Sequence, residues 1–340
     1  MHARLVVLLL SLALAACNNQ RSSLPTHELS GQTMGTTFSV KVVAPESDRD
    51  LALLQQSVSD VLDRVNQRMS TWKPDSELTI FNGNESTDWI DTSLEFCNVV
   101  ESALGLSDFT GGAFDITVGP LVNLWGFGPG DETSFTPPGE ELIASTRQRV
   151  GYRQLQTNCD VPAIRKARPD VYVDLSAFAK GYAVDQVACL LDEHGLANYL
   201  VEIGGELRIR GKNASNNDWA VAVEKPADFE RTIQTIVHIT NRAMATSGDY
   251  RNFYQFEGQR FSHTIDTRTG RPVTHAAAAV TVISETAAEA DALATALLVL
   301  GPEDGLEFAE SKQIAAYFLL RKDDDIEERM TTMFASLQAP

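Results

Sequence analysis

The sequence predicts an α+β fold, with an antiparallel or mixed sheet and flanking helices. Residues 51–69 and 92–106 repeat apolar side chains at the spacing of amphipathic helices. Residues 219–223 and 233–239 alternate like strands, and the apolar runs on either side of residues 257–258 indicate a hairpin. Helices and antiparallel strands that occupy separate regions of a chain are typical of α+β proteins.

Residues 1–16 have the pattern of a signal peptide. Arg4 supplies a positive charge, residues 5–14 are almost wholly apolar, and small residues precede Cys17. The ending Leu-Ala-Ala-Cys resembles a bacterial lipobox, which predicts that Cys17 is lipidated and that residues 17–28 form a polar tether. An ordinary cleaved signal with an incidental cysteine is the alternative. We therefore expect a lipoprotein of the bacterial periplasm, anchored to the inner or the outer membrane.

The composition argues against a nucleic-acid-binding protein. The net charge is −18 at pH 7, and no basic segment is interleaved with aromatic residues. Such an acidic chain would also repel phosphate groups unless local cations or a metal ion intervened. A metal ion is therefore expected wherever this protein binds a phosphate.

Three cysteines remain once Cys17 is assigned to a lipid. Cys97, Cys159 and Cys189 are an odd number, so they cannot all be paired in an oxidising compartment. Cys97 and Cys189 lie on the apolar faces of predicted helices. We expect both to be buried thiols without a chemical role.

The most informative segment is D-V-Y-V-D-L-S-A-F-A-K-G-Y-A-V-D at residues 170–185. Residues 171–173 favour a strand, and after a polar loop the apolar spacing fits a helix that ends at Gly195. Lys180 and Gly181 would lie in its first turn, where the helix dipole, the ammonium charge and the close approach that glycine permits favour an anion. A phosphate or pyrophosphate site is one interpretation, and an ordinary capped helix with a solvated lysine is the other.

Two further segments have the composition of pocket walls. Trp72 lies in a polar, proline-containing loop, where it would either cover a flat apolar ring or plug a small satellite core. Residues 112–128 are apolar and rich in turn residues, which predicts a backbone that lies close to another group. Residues 126–141 are expected to form a flexible polar loop.

Two groups of side chains are candidates for chemistry. His263 follows a predicted strand and precedes Asp266, so it could act as a general base or be a hydrogen-bonded structural residue. Asp291 and Thr295 are four residues apart and share one face of an otherwise apolar helix at residues 286–300. A carboxylate in such a helix needs a partner, and oxygen ligands of this kind suit Mg²⁺.

These segments together resemble the ApbE family, the periplasmic FAD:protein FMN transferases. The resemblance is carried by Met-Gly-Thr at residues 34–36, the block at residues 112–128, the stretch at residues 170–185 and His-x-Ile-Asp-x-x-x-Gly at residues 263–270. It covers nearly all of the chain after the signal segment. It implies a single FAD-binding domain over residues 29–335, with a T-fold-like mixed or antiparallel sheet.

The resemblance also implies roles for individual residues. His263 would be the base that deprotonates the acceptor hydroxyl. Asp291, Thr295 and the backbone carbonyl of Ala177 would be the Mg²⁺ ligands. The residues implied to contact FAD are Met34, Trp72, Ala113, Phe114, Asp115, Asp174, Lys180 and Ile265.

The implied reaction is Mg²⁺-dependent transfer of FMN from FAD to a Ser or Thr hydroxyl, with release of AMP. The acceptor would be an exported subunit of a membrane redox complex that carries Asp-x-x-[Ser/Thr]-[Gly/Ala]-[Ser/Thr]. The same pocket could instead use water, as an FAD pyrophosphatase that yields FMN and AMP, or it could bind flavin without catalysis. Residues 266–271 of this chain are only a near match to the acceptor motif, so self-modification is not expected.

Overall fold

The computed structural model describes residues 24–44, 51–129, 136–226, 232–250, 252–322 and 325–338. The predicted signal peptide and Cys17 lie outside these residues, as does part of the predicted loop at residues 126–141. Within the described ranges, no helix is both long enough and apolar enough to cross a membrane. The first strand begins at Thr26, inside the predicted tether.

The predicted combination of helices with antiparallel strands is confirmed, and every strand pairing in the described ranges is antiparallel. The helices are α1 (Leu51–Met69), α2 (Glu77–Gly83), α3 (Leu94–Phe109), α4 (Gly119–Leu124), α5 (Glu140–Arg147), α6 (Ala179–Glu193), α7 (Ala287–Leu300), α8 (Pro302–Ser311) and α9 (Thr332–Gln338). The strands are β1 (Thr26–Thr33), β2 (Thr36–Val43), β3 (Ile90–Asp91), β4 (Leu155–Asn158), β5 (Ala163–Lys166), β6 (Tyr199–Ile203), β7 (Glu206–Arg210), β8 (Trp219–Glu224), β9 (Ile233–Ile239), β10 (Arg242–Gly248), β11 (Phe253–Phe256), β12 (Gln259–Ser262), β13 (Ile265–Asp266), β14 (Arg271–Pro272), β15 (Ala277–Ser284), β16 (Ala315–Lys322) and β17 (Asp325–Met330).

Eight strands form the central sheet, in the order β1-β2-β6-β7-β10-β15-β16-β17. Helices α6 and α7 cover one face of this sheet, and α1 and α3 pack against those two helices in turn. The β8-β9 hairpin and α9 cover the opposite face. The sheet therefore has an apolar layer on each side, as an α+β fold requires.

From the sequence alone, the small residues at 243–249 predict a loop. This prediction is wrong, because residues 243–248 belong to strand β10 in the middle of the sheet. Ala243 and Ala245 pack on the helical face, and Met244 packs on the opposite face. The strand pairs with β7 and β15. Its small side chains look like turn residues in the sequence, but here they let α7 pack closely on the sheet.

The sequence also predicts one continuous first strand over residues 29–43, with Met34-Gly35-Thr36 in its middle, and this prediction is wrong. Strands β1 and β2 form a hairpin whose two-residue connection is Met34-Gly35. Both residues have positive φ, +50° for Met34 and +73° for Gly35, which suits the right-handed twist of the flanking strands. Glycine adopts this conformation readily, whereas methionine does so at a steric cost.

The prediction that Cys97 is a free thiol is wrong, because Cys97 and Cys159 form a disulfide. The bond joins α3 to the turn after β4, across a sequence separation of 62 residues. Cys189 is a free thiol, but its side chain is exposed rather than buried. The odd number of cysteines concealed this pairing, since the sequence alone could not show which one is left over.

We expect the double substitution of Cys97 and Cys159 by Ala to lower the free energy of unfolding by about 2–5 kcal/mol, because the crosslink restricts the unfolded chain over a long loop. Urea unfolding of the two proteins measures this difference. Cys189→Ala is the matched control and should leave stability within about 0.5 kcal/mol. An equal midpoint for the double variant and the wild type would contradict the expectation.

Candidate active site

A cavity of about 420 Å³ lies between the start of α6, the middle of α7 and the loop at residues 112–129. A volume of this size is typical of small-molecule sites. Most of the residues that the sequence predicts for the site line this one cavity. They are Trp72, Ala113, Phe114, Asp115, Asp174, Ala177, Lys180, His263, Ile265, Asp291 and Thr295.

Met34 is not among the described residues that line the cavity. It is half-buried against the core in the β1-β2 turn. This turn still lies near the site, since a Cβ placed on the cavity residue Gly204 would be 2.9 Å from Thr36 Cγ2. Contact between Met34 and FAD stays a prediction.

The segment before α6 is extended but belongs to no sheet in the described ranges, so the predicted strand at residues 171–173 is wrong. Asn82 takes the place of a neighbouring strand. Its amide nitrogen donates to the Val173 carbonyl at 2.8 Å, and its Oδ1 accepts from the Val173 N–H at 2.8 Å. The Asp174 N–H donates to the Ile116 carbonyl at 2.7 Å. These bonds fix the loop that carries Asp174 and Ala177 to the cavity.

Helix α6 is confirmed, but Gly181 serves a purpose other than the predicted approach of a ligand. A Cβ on Gly181 would lie 2.3 Å from the Ala287 carbonyl oxygen, so α6 and α7 touch at their backbones. One turn later, Asp185 accepts hydrogen bonds from the N–H groups of Ala287 and Ala288, each at 3.0 Å. Arg208 donates to the same carboxylate at 2.7 Å. This contact fixes the start of α7, the helix that carries Asp291 and Thr295.

Lys180 lies between two carboxylates, so the alternative of a solvated lysine is wrong. Its Nζ is 3.4 Å from Glu206 Oε1 and 3.7 Å from Asp291 Oδ2. The Gly181 N–H also donates to Asp291 Oδ2, at 3.3 Å. In a regular helix this N–H would bond to the Ala177 carbonyl four residues earlier. Its direction towards Asp291 leaves the Ala177 carbonyl available as a ligand.

Burial controls the charges of this cluster. Desolvation raises the pKa of Glu206 to about 8, and it also raises the pKa of Asp291. Burial by itself lowers the pKa of Lys180, but the charges of Asp291 and Glu206 outweigh it and raise that pKa. Glu206 Oε2 is buried and has no hydrogen-bond partner among the described residues. The cluster thus contains two carboxyl groups, one ammonium group and one carboxyl oxygen without a partner. A divalent cation would favour the ionised form of the carboxyl groups and supply the missing positive charge.

The predicted metal ligands also fit such a cation by their chemistry. Thr295 lies one turn after Asp291 on α7, and its hydroxyl is 2.9 Å from the Ser247 hydroxyl of β10. Carboxylate, hydroxyl and carbonyl oxygens are the ligands that Mg²⁺ prefers. Asp291, Thr295 and the Ala177 carbonyl would hold the ion, and this assignment stays a prediction.

His263 is held in one orientation by the backbone. Its Nδ1 lies 3.1 Å from the carbonyl oxygen of Asn252. A carbonyl can only accept, so we assign the proton of the neutral ring to Nδ1, which leaves Nε2 as an acceptor without a partner among the described residues. Burial lowers the pKa of His263, against the opposing effects of the Asn252 hydrogen bond and the Asp249 charge. The imidazole is therefore neutral at pH 7 and able to take up a proton at Nε2.

Asp266 does not assist His263, contrary to the expectation from their sequence proximity. Its carboxylate accepts from the Arg268 N–H at 2.8 Å and from the Arg268 guanidinium at 2.9 Å. The Gly270 N–H donates to the Asp266 carbonyl at 2.7 Å, and buried Trp125 Nε1 donates to the Gly270 carbonyl at 2.8 Å. The second half of the His-x-Ile-Asp-x-x-x-Gly motif is thus a rigid turn that supports the histidine.

Asp115 is also occupied by the protein itself. One carboxylate oxygen accepts from the Thr117 N–H at 2.8 Å and from the Thr117 hydroxyl at 2.6 Å. The other accepts from the Tyr152 N–H at 3.0 Å. Burial raises the pKa of Asp115, and these hydrogen bonds oppose that shift. Asp115 therefore shapes the loop at residues 112–128, beside the buried wall residue Phe114.

Aromatic side chains line the mouth of the cavity. Trp72 is 67% exposed, so the alternative that it plugs a satellite core is wrong. Its backbone N–H donates to Ser70 Oγ at 3.1 Å, which orders the loop. The ring of Phe127 lies 4.8 Å from the ring of Tyr254 and 6.2 Å from that of His263. This arrangement leaves apolar faces at the rim for a planar ring to stack on.

The sequence model of the ApbE family matches residues 34–318 of this chain. This range contains every residue predicted to contact FAD, to bind the metal or to act as the base. The chain belongs to the ApbE family. The match extends from the β1-β2 turn into β16, so the family region includes the cavity and the central sheet apart from the edge strands β1 and β17 and the end of β16.

Relatives of known name and known structure agree with this assignment. The FAD:protein FMN transferase of Vibrio cholerae is 42% identical over 330 residues, which is 97% of either chain. That of Haemophilus influenzae is 41% identical and covers 98% of this chain and 96% of its own. The structure of the flavin transferase ApbE from Vibrio cholerae superposes with a TM-score of 0.84 at 40% identity, covering 92% of this chain and 100% of its own. The apo form of the Pseudomonas stutzeri flavinyl transferase ApbE gives a TM-score of 0.84 at 35% identity, covering 92% and 97%.

Sequence reasoning missed several residues that organise the site in this ApbE-family chain. Asp185 carried a usable signal, since an acidic residue one helical turn after Gly181 lies on a face that is otherwise apolar. Glu206 carried a weaker one, as a carboxylate between a Gly-Gly turn and buried strand residues. Asn82 and Asn252 carried none, because each acts through contacts between segments distant in the sequence.

Proposed function

We propose that this chain transfers FMN from FAD to the hydroxyl of a Ser or Thr in an exported acceptor protein, through a phosphoester bond and with release of AMP. The observation that carries the proposal is a single cavity lined by an oxygen-rich cluster suited to a divalent cation and by a histidine with a free Nε2. Membership of the ApbE family supports FAD as donor and a protein as acceptor.

The proposed chemistry has one bond-forming and one bond-breaking event at phosphorus. The acceptor hydroxyl oxygen attacks the FMN-side phosphorus of FAD, and its proton passes to His263 Nε2. The anhydride bond breaks, and AMP leaves with the bridging oxygen. General-base catalysis of this kind contributes about 10²–10⁴-fold in rate.

The remaining residues of the cavity position the donor. Asp291, Thr295 and the Ala177 carbonyl would hold Mg²⁺, which when bound neutralises charge on the pyrophosphate oxygens. Lys180 adds a positive charge beside the same oxygens. Trp72 at the rim provides an apolar face for a flavin or adenine ring.

The location that fits this function is the periplasmic face of a bacterial membrane, with the chain anchored through a lipid on Cys17. The Cys97–Cys159 disulfide supports an oxidising compartment, because such bonds are rare in the cytosol. The acceptor is then an exported subunit of a membrane redox complex with the motif Asp-x-x-[Ser/Thr]-[Gly/Ala]-[Ser/Thr].

The test is the intact mass of an acceptor peptide bearing Asp-x-x-Thr-Gly-Thr after incubation with the protein, FAD and Mg²⁺, with AMP measured in parallel. We expect the peptide to gain one FMN for each AMP released. A peptide with both Thr residues changed to Ala is the control and should gain nothing. The chain itself should also gain nothing, since its near-match Thr269 is held in a turn by the Asp266 carbonyl at 3.2 Å.

The other products would point to other functions. Release of AMP and free FMN without any modified peptide would identify a pyrophosphatase that uses water. Bound FAD with neither product would identify a flavin-binding protein and contradict the catalytic roles proposed here.

A further inference from the structure

Glu206 is a buried carboxylate in the cavity, and the residues predicted for metal or FAD do not include it. The residue is 3% exposed at the start of β7. Oε1 lies 3.4 Å from Lys180 Nζ, and Oε2 has no hydrogen-bond partner among the described residues. An unpartnered carboxylate oxygen in a buried site is costly unless a cation or a donor satisfies it in another state of the protein.

The position of Lys180 creates a conflict at the proposed metal site. Its Nζ is 3.7 Å from Oδ2 of Asp291, the carboxylate that would bind the cation. Mg²⁺ binds carboxylate oxygens at about 2.1 Å. A cation and an ammonium sharing one buried carboxylate would repel each other strongly, because a low dielectric screens charges poorly. Metal binding at Asp291 therefore favours movement of the ammonium away from this carboxylate.

We infer that Glu206 is the positioning residue that takes the Lys180 ammonium from Asp291 when a divalent cation binds. Of the two carboxylates beside Lys180 Nζ, Glu206 is already the nearer. Its second oxygen, Oε2, is available to accept another hydrogen bond from the ammonium. The lysine stem is confined beside the Gly204-Gly205 turn, where a Cβ on Gly204 would lie 3.5 Å from Lys180 Cδ. The ammonium can thus change partner by a small rotation while it stays in the cavity.

Glu206 influences the cation through Lys180. An ammonium paired with Glu206 leaves the Asp291 carboxylate free to bind the metal, whereas without Glu206 the ammonium stays beside Asp291. This inference rests on the proposed metal site, which the experiment below tests separately.

The experiment measures binding of Mn²⁺, which accepts the same oxygen ligands as Mg²⁺, by the loss of its free EPR signal in the absence of FAD. We expect Glu206→Gln to weaken the affinity by about 10–100-fold, the usual effect of residues that support metal ligands. In a Lys180→Met background no ammonium competes for Asp291. The loss of Mn²⁺ affinity caused by Glu206→Gln should therefore be smaller there, by about threefold or more. Such non-additivity is the mark of two residues that act together.

Glu202→Gln is the matched control on the same hairpin. Glu202 Oε1 accepts the Gly205 N–H at 2.7 Å, a bond that the amide oxygen of Gln can keep, and the affinity should not change. Glu206→Asp retains the charge and should bind more tightly than Glu206→Gln. This variant decides the question if the amide variant fails to fold, as checked by thermal unfolding.

The alternative outcomes are distinct. Wild-type affinity in Glu206→Gln, together with lost binding in Asp291→Asn, would overturn the role of Glu206 and leave the metal site intact. An equal loss in both Lys180 backgrounds would mean that Glu206 acts on the cation directly, which also overturns the inference. Binding that does not depend on Asp291 would instead remove the proposed metal site itself.

Discussion

His263→Ala is expected to lower the rate of FMN transfer by about 10²–10⁴-fold, because the variant removes the neutral Nε2 that accepts the acceptor proton. FAD affinity should change little, since the proposed role of the ring begins only when the hydroxyl attacks. Single-turnover transfer to the acceptor peptide, together with FAD titration, separates the two effects. Normal transfer by the variant would contradict the assignment.

The pH profile provides a second signature of the same group. Burial lowers the folded pKa of His263 below its usual value, so the base stays neutral at pH 7 and becomes protonated only at more acidic pH. The wild-type rate should therefore fall as the pH drops below about 6.5, the ordinary histidine value. This acidic limb should disappear in His263→Ala. Exposed His238 lies on β9, away from the cavity lining, and His238→Ala should keep both the rate and the limb.

Asp291→Asn is expected to reduce Mg²⁺-dependent transfer by about 10²-fold or more, because a neutral amide replaces the carboxylate proposed to hold the ion. The change conserves shape, and the amide oxygen can still accept the Gly181 N–H. A failure to fold is therefore not the expected cause of the loss. Transfer rates measured over a series of Mg²⁺ concentrations check this expectation, and full activity at the wild-type Mg²⁺ requirement would contradict it.

Glu289→Gln is the matched control for Asp291→Asn. Glu289 is in the first turn of the same helix, where its carboxylate accepts from the Ser284 hydroxyl, and it is not among the residues that line the cavity. The substitution Glu289→Gln removes one negative charge from this helix, as Asp291→Asn does, but it leaves the proposed metal ligands unchanged. We expect the Mg²⁺ dependence of transfer by Glu289→Gln to match that of the wild type. A different Mg²⁺ dependence in Asp291→Asn would then result from the position of Asp291 in the cavity and not from the lower negative charge of the helix.

Packing between α6 and α7 links the position of the proposed metal ligands on α7 to the start of α6. Contact between Gly181 and Ala287 leaves no room for a side chain between α6 and α7, and Asp185 holds the first N–H groups of α7. Small displacements of either helix would therefore move Asp291 relative to Lys180. Gly181 therefore meets a packing requirement between the two helices.

The sequence by itself determined the elements whose residues follow a strong period and the chemical character of the site. The stripe at residues 51–69 formed a helix as predicted, because apolar residues at the helical period let a helix bury one face. The apolar helix with Asp291 and Thr295 also formed as predicted, and it is buried on nearly all sides. The motifs also identified His263 and the proposed metal ligands, which line one cavity in the structure.

Only the tertiary structure decided features that depend on a neighbour from elsewhere in the chain. The small residues at 243–249 became a central strand because α7 packs on them, and residues 171–173 stayed outside a sheet because Asn82 takes their hydrogen bonds. The same holds for the partner of Cys97 and for the carboxylate that faces Lys180. Local periodicity reports which face of a segment is buried, whereas the identity of the group that buries it is set by contacts distant in the sequence.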